Sequence, residues 1–341
     1  MRLRCILILL PAFAPAAGVP AWNPAAAAHY LDAREVWWQS WDHAQRDHGT
    51  TCVSCHTVLP YALARPALRA ALSEREASPP ERTTLAFIEK RVELWDEVEP
   101  FYKEASGLTK PAESRATEAI MNALILASGD ARHGRLRDVT RQAFDHVWAL
   151  QLTTGAWDWL NFHNGPWESD ESQYWGTTLV ALALGIAPDG YKDSPLIQRQ
   201  LADMRVWLKR EYARQPLLNR MWVLWASAAM PGLLTAEERK ALIAEIATAQ
   251  QKDGGWTLSN LGNWKRPDPR SDGYATAIAV LALPAASPAA ERGRAWLQHN
   301  QNPEGAVPAW SLNNERDPAS DAGRFMSDAA TAYAALALER K

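Results

Sequence analysis

Cysteine is scarce: the 341 residues contain three. A disulfide scaffold needs several spaced cysteines, and a structural zinc site needs more soft ligands than these. Net charge is nearly absent as well. With a formal charge of -3 and no basic stripe, the chain has no electrostatic footprint for nucleic acid, and no such partner is expected. Long apolar runs are missing too. Beyond the N-terminus no stretch approaches the roughly 18 uninterrupted apolar residues of a membrane helix, so no transmembrane span is expected in the mature chain. Tryptophan is what the chain has in excess, 17 residues. Its ring is bulky and keeps a polar N–H, which suggests large buried surfaces or an aromatic-lined cavity.

The first residues read as a secretory leader. Arg2 and Arg4 form a short basic region, and Cys5 to Leu10 continue into an Ala/Pro-rich apolar stretch too short to span a bilayer. Small residues at Ala16–Gly18, Ala21 and Ala25–Ala28 offer several cleavage points. Residues 1–28 are therefore expected to be a signal peptide with an unassigned cut, and 29–341 one domain, periplasmic or otherwise exported. An uncleaved anchor is the alternative. Cleavage removes Cys5 and leaves two cysteines, both in one motif.

That motif is Cys52-Val53-Ser54-Cys55-His56, preceded by Thr51. It resembles the C-x-x-C-H attachment signature of c-type cytochromes, over these five residues alone. The resemblance implies one covalent haem c at 51–56, with Cys52 and Cys55 as thioethers and His56 as proximal iron ligand. A thioredoxin-like dithiol is a competing reading, but it wants a βαβ context and no strand pattern lies nearby.

The rest of the chain repeats. Small-residue apolar helices are expected at Arg115–Ala127, Tyr174–Leu184, Gly273–Leu283 and Asp328–Leu338, with weaker members at Tyr61–Leu72 and Leu218–Met230. Amphipathic helices alternate with them: Ala33–Gln45, Thr83–Ala105, Leu136–Leu150, Leu196–Tyr212, Thr235–Gln251 and Ala290–Asn300. Thr235 with Glu238 reads as a capping box. Six units of roughly 50 residues signal a repeat architecture. With apolar helices inside and amphipathic ones outside, the fold class is all-α, an (α/α)6 toroid of six helical hairpins with a haem-binding loop at the first. The loops add a second resemblance, to the Gln–Trp repeats of terpene cyclases, whose toroid protein prenyltransferase β-subunits share. It implies that Gln151 with Trp157, Gln251 with Trp256, and Gln301 with Trp310 tie neighbouring hairpins. Gln45 and Gly49 would stand in the same loop pattern.

No D-x-D-D acid of class II cyclases is present, so cyclase activity is not expected. Glu168, Asp170, Glu171, Asp272 and Asp328 could form glycosidase-like carboxylates, or could simply favour helix N-termini. For the distal side of the iron, Met326 leads and His163 follows, with His43, His48 and His299 behind and an open site as the alternative. Trp175, Trp222 and Trp225 line a cavity or are plain core. The leading expectation is an exported haem protein for electron transfer or oxidative chemistry beside an apolar, terpenoid-like cavity, with a redox partner protein or a small apolar ligand. A non-catalytic haem-bearing binding or sensor module is the alternative, and a polysaccharide-active toroid with accessory haem a further one.

Overall fold

The computed structural model describes residues 22–339. Most of the expected leader lies outside the described residues. Twelve α-helices fold among those described: α1 (Pro24–Ser40), α2 (Val58–Ala71), α3 (Pro79–Glu93), α4 (Lys110–Ala131), α5 (Asp138–Ala149), α6 (Ser172–Ile186), α7 (Gln198–Glu211), α8 (Leu217–Ala229), α9 (Ala236–Thr248), α10 (Gly273–Ala282), α11 (Pro288–His299) and α12 (Phe325–Glu339). None is long and apolar enough to cross a membrane.

The even-numbered helices pack in sequence and α12 closes on α2, so they form a ring; the odd-numbered helices surround it. This is the expected (α/α)6 toroid. The burial pattern explains the layering. Inner α6 and α10 are Ala/Leu-rich and buried on nearly every side. Outer α7 buries only Leu201, Met204, Trp207 and Leu208, one helical stripe. The capping box at Thr235 and Glu238 opens α9, and a second, Ser78 with Glu81, opens α3.

Two outer helices differ from their expected spans. α1 begins at Pro24, not Ala33, because Asn23 caps it through a bond from the Ala26 N–H, and Ala27, Ala28 and Leu31 are buried. A leader cut within Ala25–Ala28 would remove that cap and first turn, whereas the earlier small-residue positions leave α1 whole. α3 stops at Glu93, and the chain then runs through turns and bends to a short 3-10 helix at Glu104–Ser106.

The glutamine ties are present in a shifted register. Gln151 Nε2 donates to the carbonyls of Gly155 (3.0 Å) and Gln200 (2.9 Å), the latter in α7. Gln250, not Gln251, does the same with Gly254 (2.8 Å) and Ala289 (2.9 Å) of α11. Gln301 bonds Gly305 (2.9 Å) and exchanges two bonds with the Asn23 backbone (2.7 and 3.1 Å), closing the outer ring. The buried residue six positions on is Trp157, Trp256 and Val307 respectively, so Trp310 is not the third partner. Gly155, Gly254 and Gly305 hold φ near +95°, and a Cβ on them would run into the carbonyl of Asp203, Arg292 or Ala26. At the first hairpin Gln39 makes the tie, to Pro80 O at 2.9 Å, while Gln45 bonds Gln39 O within its own loop.

Connections into inner helices are mostly long, and those leaving them are short. The long loops gather at the mouth formed by the inner-helix N-termini, where loops commonly carry function. The C-x-x-C-H segment lies there.

Candidate functional site

The segment enters from a two-residue hairpin, Gln45–Arg46 against Thr50–Thr51, too short for any βαβ unit. Its backbone is pinned by Cys52 N–H to Ala44 O (2.8 Å) and by Trp38 Nε1 to Cys52 O (2.8 Å). Ser54 Oγ then accepts the Thr57 and Val58 N–H groups, turning the chain into α2. Both cysteines are buried and not disulfide-bonded. Cys55 Sγ lies 3.9 Å from Met121 Sδ. Burial pushes the Cys52 thiol up to about 12 and the Cys55 thiol well above its ordinary value. An activated redox dithiol has the opposite shift.

His56 is fixed on three sides. Its ring stacks on Phe325 (3.8 Å between centroids, 23°), meets Trp38 edge-on at 5.2 Å and tilts toward Trp167 at 5.9 Å. Nδ1 lies 2.9 Å from Thr57 Oγ1. Desolvation, with the charges of Arg316 and Arg34, pushes the imidazole down to about 3. The ring is neutral, the form that binds metals.

A cavity of about 310 Å³ opens beside it, lined by Cys52, His56, Met326, Trp167, Arg46, Arg316 and Glu168 among others. Its size is at the lower end of small-molecule and cofactor sites. Burial pushes the Glu168 carboxyl up to about 7, against the pull of Arg316 and Lys110. Cys52 lines this cavity and Cys55, three residues on, lies behind it against Met121. The features that fit a haem are two buried thiols free of any disulfide, a neutral imidazole with one nitrogen engaged, and two guanidiniums in the lining that could pair with carboxylates.

Of the distal candidates, Met326 and His43 line this cavity with His56. Met326 sits in the first turn of α12 and is buried. His163 does not line it; its exposed ring pairs with Asp170 at 3.1 Å beside a different cavity. His48 pairs with Asp47 and His299 lies on exposed α11, both away from it. The five carboxylates do not gather. Asp272 caps α10 and accepts the Ala275 and Leu258 N–H groups, and Asp328 is paired with Arg34. Asp170 and Glu171 are exposed, leaving Glu168 alone on the cavity. Sequence reasoning missed Arg46, Arg316, Trp38 and Phe325. The only signal for them was the aromatic cluster Trp37, Trp38 and Trp41 just upstream of the motif.

Along the ring axis Trp175, Trp222, Tyr274 and Tyr333 are buried and mostly meet edge to face. Trp225 reaches a second cavity of about 530 Å³ at the opposite mouth.

No protein-family model matches the chain, and no curated protein matches it. Solved structures do. The chain is similar to a variant of UGL with dGlcA-Glc-Rha-Glc: TM-score 0.55, 11% identity, over 93% of this chain and 96% of that one. The apo type II terpene cyclase MstE from Scytonema matches at TM-score 0.50 and 12% identity, over 92% and 97%. A glycosidase variant in complex with glucose matches at 0.50 and 12%, over 92% and 97%. At such identities the likeness establishes the toroid fold.

Proposed function

We propose that this chain is an exported c-type haem protein, with one haem c held by Cys52 and Cys55 and ligated by His56 at the long-loop mouth of the toroid. The observation that carries this reading is convergence: Cys52, His56 and Met326, from opposite ends of the sequence, line one cavity. A bound haem would supply one-electron chemistry at iron. The protein's part is to hold His56 neutral and oriented, to seat the group against Trp38 and Trp167, and to face its carboxylates with Arg46 and Arg316. Met326 as distal ligand would direct the function to electron transfer with a redox partner protein. An open distal side would direct it to oxidative chemistry on a small ligand. The test is the absorption spectrum of protein matured in a periplasm, with and without carbon monoxide, followed by acid-acetone extraction. The haem should stay with the protein, and the Cys52→Ala, Cys55→Ala double variant should lose it. Free extraction from the wild type refutes the reading.

The sugar-bound neighbours favour a second reading, a polysaccharide-active toroid in which the haem is accessory. Its candidate acid is Glu168, the one carboxyl of the expected five on the cavity and held near 7. Release of sugar from polysaccharides, abolished by Glu168→Gln, would support it. Equal activity in that variant would remove it.

A further inference from the structure

The side chains behind His56 carry more than packing. Thr57 Oγ1 lies 2.9 Å from Asp328 Oδ2 on α12. Asp328 also accepts from Tyr30 Oη (2.7 Å) and from Arg34 Nε (2.9 and 3.1 Å), both on α1. All of these groups are buried. Arg34 cannot release its proton, and Tyr30, Arg34 and Thr57 all direct donors at Asp328, which serves here as the acceptor. The single hydroxyl hydrogen of Thr57 therefore goes to Asp328. That leaves Thr57 Oγ1 only its lone pairs for His56, so the Nδ1 atom 2.9 Å away must carry the hydrogen. Nε2 is then the bare nitrogen, the one free to bind a metal.

We propose that Thr57 and Asp328 are positioning residues: a hydrogen-bond relay from the Asp328–Arg34 pair through the Thr57 hydroxyl that fixes the His56 tautomer and raises the basicity of its Nε2 toward iron. The inference rests on the haem reading above and adds what that motif does not contain. Outer partners of a ligating histidine set its tautomer and make it a stronger donor. A more basic ligand favours the ferric state and lowers the potential. The relay also explains why a carboxylate in the first turn of α12 is committed to the first hairpin. Tyr30, Arg34 and Thr57 come from α1 and the entry to α2, so the ring is closed at the place where the ligand is aimed.

The test compares wild type, Thr57→Val and Thr57→Ser. Valine keeps the shape and removes the acceptor; serine restores it. In the haem-loaded full chain, Thr57→Val should raise the midpoint potential by about 59 mV, a tenfold change in the ferric-to-ferrous ratio at fixed potential, and Thr57→Ser should return it. In the full chain expressed without haem, long-range 1H–15N spectra should find His56 with Nδ1 protonated, and Thr57→Val should shift it toward Nε2–H. A purely structural Thr57 would move neither readout and would not distinguish serine from valine. Equal potentials in all three proteins, or an Nε2–H ring in the wild type, overturn the relay while the haem stays attached. Haem lost to acid acetone with the Nδ1–H ring intact instead overturns the haem reading and leaves the hydrogen-bond relay in place.

Discussion

Glu35 on α1 should make the protein lose stability as pH rises from about 4.5 to about 7, and Glu35→Gln should abolish that loss. The side chain is 1% exposed. Oε1 accepts from Thr84 Oγ1 (2.6 Å) and Gln39 Nε2 (3.2 Å), while Oε2 is buried with no partner among the described residues. Desolvation outweighs those two bonds and lifts the carboxyl from 4.5 to about 7, with the charges of Asp328 and Asp32 adding to the lift. Because the folded pKa lies above the unfolded one, the native state holds the proton longer. Below about 4.5 both states are protonated and there is no penalty. Between 4.5 and 7 the unfolded chain ionises first and stability falls by up to about 1.4 kcal/mol per pH unit. Above 7 the full cost, on the order of 3 kcal/mol, is in place. Glutamine keeps the Oε1 acceptor and cannot ionise. Urea unfolding of both proteins from pH 4.5 to 8 measures the difference, in which other titrating groups such as Glu168 and Asp272 cancel. The variant should gain on the wild type steadily with pH. Parallel curves would refute the argument.

Gln250→Ala should cost about 1–3 kcal/mol by removing one backbone bond within its loop and one to the next hairpin, and Gln251→Ala less than about 1 kcal/mol; chemical denaturation separates the two. Gly305→Ala should destabilise by more than about 2 kcal/mol, since its positive φ and the Ala26 carbonyl both oppose a Cβ. Met326→Ala should shift the ferric spectrum toward high spin and open the iron to carbon monoxide. An unchanged spectrum removes Met326 as ligand and makes His43, on the same cavity, the next variant to measure.

The alternation of Ala/Leu-rich and amphipathic segments was enough to read six hairpins, because inner helices here are buried all round and cannot carry a polar stripe. Boundaries were harder. Asn23-Pro24 is a sound helix start, yet the small residues after it also look like a signal-cleavage region, and the two signals compete for the same alanines. The glutamine register was legible in principle: Gln151 and Gln250 each stand six residues before their tryptophan, and the same spacing from Gln301 falls on Val307. Within the site, the motif residues were visible because they are adjacent in sequence. Arg316 and Phe325 were not, since only the closure of α12 on α2 brings residues some 270 positions apart to one cavity.

Where chemistry could occur in this toroid follows from what fills its axis. Trp175, Trp222, Tyr274 and Tyr333 project from inner helices and occupy the centre in contact with one another. Each such ring buries on the order of 150–250 Å². An apolar ligand seated on the axis would have to displace them and forfeit that burial. The space beside His56 is different. Its lining mixes Cys52, Trp167 and Met326 with Arg46, Arg316 and Glu168, so it suits a group that has both apolar surface and charge. Haem is such a group: a flat apolar ring carrying two carboxylates. The same fold that leaves little room for a ligand at its centre thus presents, at one mouth, a mixed apolar and charged lining in which the His56 imidazole is held neutral and His43 also stands. On the haem reading proposed above, a reaction would begin at this mouth, where Glu168 and His56 share one cavity, rather than on the filled axis.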